Sequence, residues 1–215
     1  MTKSPASAYQ RIREGFKHSK IIHIILSRLA TLGLEIRLFY VFREGCLGQE
    51  QKKFGPEFSE YDTEFLGPED MKKIDRIEGR TASEEFLRER LEAGNMCLAV
   101  KEKDEIVGFT WCDFDVLDLP SKWKSKLGKN EAYLFDAFIL RAYRGHGLAP
   151  FMRHRCYQEL TKMGRDVFYS TSDYFNTPAL HFKRKLGAQI LKLYLYIQLF
   201  KRFRLYLKLK DYAKE

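Results

Sequence analysis

The sequence RGHG at residues 144–147 is the clearest indication of chemistry in this chain. It follows the apolar run FIL and precedes LAPFMRHRC, whose apolar residues have helical spacing. Two glycines so close together cost backbone entropy, which proteins accept where the chain turns tightly or a ligand approaches the backbone. A helix that starts after such a turn offers free N–H groups and the positive end of its dipole. The pattern therefore predicts an anion-binding turn.

The spacing within this turn excludes two common phosphate-binding motifs. RGHGLA is neither GxxxxGK[ST] nor GxGxxG, so nucleoside triphosphates and dinucleotides are poor candidates. A glycine-rich turn that binds nothing is the structural alternative. The surrounding elements have to decide between the two interpretations.

Apolar periodicity predicts the elements that position the turn. Before it, the predicted elements are a strand over 35–44, an irregular connection up to residue 68, helical segments over 67–77 and 81–94, a β-hairpin over 95–116, and a polar, lysine-rich loop over 117–130. Ser83 is a candidate cap for the second helix. The next strand, over 132–140, should carry alternate residues on one face, namely Leu134, Asp136, Phe138 and Leu140.

After the turn, we predict a helix up to Gly164, a strand over 166–173 and a short helix over 176–187. Asn176 is a candidate cap of that helix and Gly187 its C-terminal stop. Alternation then continues from 190 to 209, which is too long for one strand at about 3.3 Å per residue. We therefore predict a terminal β-hairpin that turns near 201–202.

Composition limits the class of protein. The chain has 215 residues, 45% of them hydrophobic, which suits one domain with a sizeable core. No apolar run reaches the roughly 18–20 residues that span a bilayer. His23 and Arg28 interrupt the first apolar segment, so no cleaved signal peptide is expected. The four cysteines lack metal-ligand spacing, so we expect free thiols, no metal and a cytoplasmic protein.

Charge is unevenly distributed along the chain. The net charge is +9, and the basic excess lies in residues 1–32 and 183–215. Residues 8–32 have the spacing of a basic amphipathic helix, which would either pack on the domain or lie on a membrane surface, peripheral to the inner membrane. The aromatic and basic face of 190–209 has no accompanying RNA-binding motif, so no nucleic-acid partner is expected. We divide the chain into an N-terminal helix, 1–32, and a domain, 33–215.

Two ordered motifs resemble the GCN5-related N-acetyltransferase (GNAT) family. RGHGLA at 144–149 matches its pyrophosphate-binding motif, Q/R-x-x-G-x-G/A, with an apolar strand before it and a helix after it. Further along, NTPALHFKRKLG at 176–187 is similar to its second motif, N-x-x-A-x-x-F-Y-x-K-x-G. The resemblance extends from residue 35 to about residue 209.

The resemblance implies an α/β fold of the α+β type: a single domain whose central mixed, mostly antiparallel sheet is flanked by helices and splays after the strand 133–140. It implies acetyl-CoA as cosubstrate and no metal. The residues implied in binding it are Ile139, Leu140, Arg141, Arg144, Gly145, His146, Gly147, Leu148, Ala149 and Asn176. The backbone of 144–149 would hold the pyrophosphate and that of 139–140 the pantetheine arm. Arg153 would add positive charge near the phosphates.

The resemblance also implies direct attack by a primary amine. Asp136 is the predicted base, because sugar-amine members carry an acidic residue there and an apolar wall would raise its pKa. A strand Asp bonded to its neighbours is the alternative. A backbone N–H of the splayed strand would meet the oxyanion. Lys183 stands where the family commonly has tyrosine and is the predicted acid, with His181 and Tyr174 as alternatives.

The acceptor is the least constrained part of the interpretation. We expect a small-molecule amine, with an amino sugar first and an amino acid or peptide amine second, and a monomer or homodimer. Two other classes stay open. Lys183 in place of tyrosine would favour a catalytically impaired acyl-CoA sensor or scaffold, and the basic amphipathic ends would favour a membrane-associated long-chain N-acyltransferase.

Overall fold

A computed structural model describes residues 25–26, 28–45, 54–119 and 123–212. Eight strands form one sheet: β1 (Leu34–Glu44), β2 (Tyr61–Phe65), β3 (Met96–Glu102), β4 (Glu105–Asp113), β7 (Glu131–Ile139), β8 (Val167–Asp173), β9 (Gln189–Leu199) and β10 (Phe203–Asp211). Their order in the sheet is β10-β9-β1-β8-β7-β4-β3-β2. A separate hairpin consists of β5 (Val116–Leu119) and β6 (Trp123–Lys126).

Within the described ranges after β1, the helices that cover this sheet are α1 (Met71–Asp75), α2 (Glu84–Glu92), α3 (Leu148–Lys162) and α4 (Thr177–Lys185). The β7–β8 pair is parallel and the other neighbours pair antiparallel. This arrangement confirms the predicted fold class, a mixed and mostly antiparallel sheet flanked by helices.

Each face of the sheet has its own apolar core. On one face, Ile74 of α1 and Leu87 of α2 pack in one cluster with Phe109 and Trp111 of β4. On the other face, α3 packs Cys156 and Leu160 against β3, β4 and β8 in the cluster Leu98, Cys112, Cys156, Leu160 and Phe168. These two layers hold the middle of the sheet between α1 and α2 on one face and α3, which follows the glycine turn, on the other.

The sheet comes apart between β7 and β8. Their register covers Glu131–Tyr133 against Val167–Tyr169, although both strands continue for several residues. On its other side β7 stays paired with β4, with a register shift between Phe135 and Phe138 that leaves one extra residue in β7. Asp136 lies in this bulge with a φ of 46°. The split that the family resemblance implies is confirmed, and β7 bends at a bulge shortly after its last pair with β8.

The bulge also corrects one prediction. Leu134 packs on the α3 side of the sheet, whereas Phe138 packs against the cluster on the α1 and α2 side. The two residues therefore do not share a face, because one extra residue inverts the alternation beyond it.

Most predicted helices and hairpins are confirmed. The Ser83 hydroxyl accepts a hydrogen bond from the Phe86 N–H at 3.4 Å. The Asn176 side chain accepts one from the Ala179 N–H at 3.2 Å. Both are helix caps. The terminal hairpin turns at Phe200 and Lys201, which have φ values of 50° and 56°.

Two segments differ from their predictions. The irregular connection before residue 68 contains β2, which adds a strand beside β3 over Tyr61–Phe65. The polar loop 117–130 contains the β5–β6 hairpin. Leu119 of this hairpin is buried against Phe39 and Tyr196. A few apolar residues in a lysine-rich segment were enough to fold it onto the sheet.

The two ends of the chain are described to different extents. Residues 8–24 of the predicted N-terminal helix lie outside the described residues, and 28–31 are helical. In the last hairpin, Tyr194 and Tyr196 are buried, which removes them from the aromatic face considered for RNA. Within the described ranges, no helix is long and apolar enough to cross a membrane.

Candidate functional site

A cavity of about 830 Å³ lies in the split between β7 and β8. Its wall contains 134–139 of β7, 171–173 of β8, the first residues of α3 and several residues of α4. The volume falls within the roughly 300–1,000 Å³ of small-molecule sites. The split between β7 and β8 is therefore large enough for a substrate.

The glycine turn forms one end of this cavity. Gly145 and Gly147 have φ values of 92° and 84°, and α3 begins directly after Gly147. Among the described residues, the N–H groups of Gly145 to Ala149 have no backbone hydrogen-bond acceptor. Such N–H groups at a helix start favour an anion. The geometry fits the predicted pyrophosphate site, since the backbone is turned towards the cavity and an added Cβ at Gly145 would meet nothing within 4 Å.

The strand before the turn differs from its prediction in part. The Leu140 N–H donates to the Val107 carbonyl at 2.9 Å, so this group is occupied by the pairing of β4 and β7. Successive residues of a strand direct their backbone groups to opposite sides, so those of Ile139 face the split. The Ile139 carbonyl accepts from the Arg144 Nε at 2.9 Å. The prediction that both residues offer free backbone groups is wrong for Leu140.

Asp136 lines the cavity but has two arginine partners. Arg80 donates from both Nη atoms at 2.9 and 2.7 Å, and Arg90 Nη1 donates at 2.9 Å. Burial alone would raise the pKa of Asp136, but the hydrogen bonds and charges of the two arginines outweigh it and hold this pKa below its ordinary value. The predicted rise of the Asp136 pKa is therefore wrong. The aspartate is a weaker base than its apolar surroundings in the sequence suggested.

The inner end of the cavity contains a buried group of charges. Lys183 of α4 donates to Glu44 of β1 and to Ser170 of β8, and Tyr157 donates to Glu44 at 2.6 Å. Arg153 Nε lies 3.4 Å from Glu44 Oε2. We call Glu44, Arg153 and Lys183 the inner charge cluster. Their side chains are no more than 5% exposed.

Burial and charge shift the pKa values of this cluster. Burial alone would raise the pKa of Glu44, but Arg153 and Lys183 lower it to about 2. Burial lowers the pKa of Lys183 to about 8, against the attraction of Glu44. Lys183 is therefore an ammonium group that releases its proton more readily than an exposed lysine.

The comparison with protein families decides which family the chain belongs to. The model of the acetyltransferase (GNAT) family matches residues 58–188, more than half of the chain. The chain belongs to the GNAT family. The match includes the split, the glycine turn and both motifs of the sequence resemblance. A search of curated proteins with the sequence of this chain found no match.

Solved structures agree on the fold of this GNAT protein. A GNAT-family structure from Novosphingobium aromaticivorans has a TM-score of 0.51 at 14% identity, over 78% of this chain and 66% of that one. A GNAT acetyltransferase from Colwellia psychrerythraea has a TM-score of 0.55 at 11% identity, over 77% and 57%. A Staphylococcus epidermidis protein of unknown function has a TM-score of 0.55 at 9% identity, over 82% and 66%. This chain thus spans about three fifths of the length of these structures, and the likeness concerns the fold.

The structure brings most predicted site residues of this GNAT domain to one cavity. Those in its wall are Asp136, Ile139, Arg144, Gly145, Gly147, Leu148, Ala149, Asn176 and Lys183. Leu140, Arg141 and His146 are not among the lining residues, and the last two are exposed. Arg153 is buried in the inner charge cluster rather than beside the turn, because it follows Leu148 by more than one helical turn and faces α4.

Sequence reasoning missed several residues of the site, of which Glu44 and Ser172 are examples. Glu44 ends an apolar strand and its partner Lys183 is 139 residues away, so no local pattern connects them. Ser172 of β8 also lines the cavity, buried at 8% exposure. Alternation along β8 was the available signal, since Phe168, Ser170 and Ser172 share the face towards α3 and α4. No group of three metal-ligating side chains is present among the described residues.

Proposed function

We propose that this protein transfers an acyl group from a coenzyme A thioester to a primary amine of a small acceptor. Acetyl-CoA is the donor that the family resemblance implies. The observation that carries the proposal is the row of unpaired N–H groups from Gly145 to Ala149 at one end of a cavity that lies in the sheet's split. A polyanionic thioester needs an anion site and a deep channel in line with each other.

The chain's own residues have separate tasks in this proposal. The backbone of Gly145 to Ala149 binds the diphosphate, and the Ile139 backbone orients the arm that enters the split. The Asn176 side chain keeps its amide NH₂ for a ligand, since its carbonyl oxygen caps α4. The bound thioester supplies an activated acyl group, and the acceptor amine attacks it directly.

Lys183 is the proposed acid. Its Nζ holds the proton that the departing thiolate needs, and a pKa of about 8 lies close to that of an ordinary thiol, about 8.5. Matched pKa values favour proton transfer at neutral pH. A buried ammonium that releases its proton readily, at the position where the family usually has tyrosine, favours an active enzyme over a catalytically impaired acyl-CoA sensor or scaffold.

Asp136 stays a predicted base, although its two arginine partners lower its pKa and so weaken it as a proton acceptor. Asp173 is a second carboxylate in the cavity wall, 37% exposed and 3.5 Å from Arg37. It has fewer cationic partners than Asp136, and we propose it as the group that attracts the acceptor's ammonium. An amino sugar stays our first acceptor, with amino acids or peptide amines second.

The membrane-associated long-chain enzyme is supported by one observation. The last hairpin exposes large apolar side chains beside basic ones, with Phe200 at 68% and Phe203 at 62% exposure, followed by Leu205, Leu207 and Leu209. Such a surface suits peripheral contact with an anionic bilayer. Co-sedimentation with vesicles containing anionic lipid, compared with neutral vesicles, tests this class. Equal recovery with both would contradict it.

Binding of acetyl-CoA to the purified protein tests the proposed function. We expect micromolar affinity by calorimetry and none for ATP. Gly147→Glu places a carboxylate beside the diphosphate and should weaken binding at least tenfold, because like charges repel in a partly buried site. Gly164→Glu is the matched control, since Gly164 has a similar φ of 79° and open space around it. Equal affinity in the two variants would remove the turn from the binding site.

A further inference from the structure

Two side chains in the wall of the cavity have buried polar atoms that make no hydrogen bond, although one of these atoms, Arg153 Nε, lies 3.4 Å from Glu44 Oε2. The atoms are Nε and Nη1 of Arg153 and Oγ of Ser172. Arg153 is 1% exposed and Ser172 8% exposed, and both line the cavity. Buried polar groups in native proteins are nearly always hydrogen-bonded. Their unmet hydrogen bonds point to a ligand that is bound during function.

The charge at this end of the cavity is also unbalanced. Glu44 contributes one negative charge, whereas Arg153 and Lys183 contribute two positive ones. The Glu44 oxygens accept hydrogen bonds from Tyr157, Ser170 and Lys183, whereas Arg153 makes only the 3.4 Å ion pair with Glu44 and no hydrogen bond to it. A buried guanidinium without a hydrogen-bonded anion is costly. The surplus of one positive charge matches a ligand group with one negative charge.

We propose that the inner end of the cavity is a carboxylate-binding subsite, in which Arg153 and Ser172 hold a carboxylate at the far end of the transferred acyl group. The donor would then be a dicarboxylic acyl-CoA, such as a succinyl or malonyl thioester. A planar guanidinium and a hydroxyl suit the oxygens of a carboxylate. This inference rests on the proposed function and narrows its donor.

The location of the subsite favours the acyl donor over the acceptor. Arg153 lies on α3, the helix whose first residues form the anion-binding turn. Its guanidinium lies 5.7 Å from the ring centre of Phe182, in the second sequence motif. The subsite and the turn thus lie on the same side of the sheet, in one cavity. Asp173 and Thr171 alternate with Ser172 and face the opposite side, where an acceptor would enter.

Competition binding of four thioester-related ligands tests the subsite. We would measure the affinities of CoA, acetyl-CoA, butyryl-CoA and succinyl-CoA for the whole protein. The butyryl group of butyryl-CoA has four carbons, as the succinyl group has, but a methyl group in place of the terminal carboxylate. We expect succinyl-CoA to bind at least tenfold more tightly than butyryl-CoA. Equal affinities would overturn the subsite but leave the proposed function standing, whereas failure of every CoA compound to bind would overturn the proposed function itself.

Three variants assign the preference to residues. Arg153→Met should abolish the preference for succinyl-CoA and leave the affinity for CoA and butyryl-CoA unchanged. Ser172→Ala, a smaller change, should reduce the preference severalfold and covers the case in which Arg153→Met fails to fold. Arg155→Met is the matched control, because Arg155 is on the same helix but exposed and outside the cavity wall.

Two outcomes contradict the assignment even if a preference exists. If Arg153→Met weakens the binding of CoA and butyryl-CoA as much as that of succinyl-CoA, Arg153 contacts the CoA moiety that all three ligands share. The proposed carboxylate subsite is then wrong. If the wild type prefers acetyl-CoA as donor but requires a carboxylate on the acceptor, as shown by turnover with β-alanine and none with ethylamine, the subsite does not belong to the donor.

Discussion

Replacing Glu44 by glutamine is the sharpest test of the inner charge cluster. The substitution keeps the shape of the side chain and removes the negative charge that faces Arg153 and Lys183, which are 1% and 5% exposed. Removing one partner of a buried ion pair costs about 3–5 kcal/mol, because the remaining charge stays buried. Each kcal/mol shifts the Tm of a chain of this size by about 2–4 °C. We therefore expect Glu44→Gln to lower the Tm by roughly 6–20 °C.

The matched control is Lys183→Met, which removes a positive charge instead. It leaves Glu44 and Arg153 as a balanced pair, so we expect a much smaller loss of unfolding free energy. The double variant should be more stable than Glu44→Gln alone, because one fewer positive charge is buried without a partner. Urea denaturation at pH 7 measures all three. The reasoning would be refuted if Glu44→Gln cost less than about 1 kcal/mol, or if Lys183→Met cost as much.

Three further predictions concern pH and turnover. The pKa of Glu44 in the folded state, about 2, lies below its unfolded value of about 4.3, so its contribution to stability is complete above pH 4.3 and is lost as pH falls towards 2. The unfolding free energy of Glu44→Gln should therefore depend less on pH over this window than that of the wild type. The pKa of Lys183 in the folded state is lowered to about 8, so the unfolding free energy should rise from pH 8 to about 10.4, where the unfolded chain binds more protons. Turnover should fall over the same range because Nζ loses the proton that it donates, and Lys183→Met should lose both effects. A wild-type rate that rose through pH 8 would contradict the assignment of Lys183 as the acid. Asp136→Asn should keep the affinity for acetyl-CoA within about twofold and lower kcat at least tenfold if Asp136 is the base. Full turnover in this variant would mean that Asp136 is not the base and only binds Arg80 and Arg90.

The fold was largely predictable because its signals are local. The apolar runs of β3 and β4, the alternation in β9 and β10, the caps Ser83 and Asn176, and the glycines at 145 and 147 are all signals within a few residues of the chain. The two missed elements were short. Tyr61–Phe65 alternates over five residues only, and the β5–β6 strands have four residues each. Short strands draw their stability from neighbours rather than from their own sequence.

The parts of the site that the local backbone forms were predictable, and those that depend on contacts between side chains far apart in the sequence were less so. The glycine turn itself followed from the glycine spacing and its flanking strand and helix, and its predicted anion-binding role rests also on the second motif. Asp136 was placed correctly in the cavity wall, but its pKa depends on Arg80 and Arg90, 56 and 46 residues away in the chain. The inner charge cluster joins residues from β1, α3 and α4. Electrostatic partners at such separations leave no periodic signal in the sequence.

The bulge at Asp136 connects these observations physically. Its extra residue is accommodated by a left-handed backbone conformation that costs of order 1 kcal/mol or more, and the hydrogen bonds from Arg80 and Arg90 offset this cost by fixing the carboxylate in place. The pairing of β7 with β8 ends at Tyr133, shortly before this bulge, and the split beyond it contains the cavity whose wall includes Arg153 and Ser172. The strained residue of β7 and the unmet hydrogen bonds of Arg153 and Ser172 thus lie at the same split. A ligand that fills the split should therefore stabilise the fold strongly, since its binding energy is added to the folded state alone.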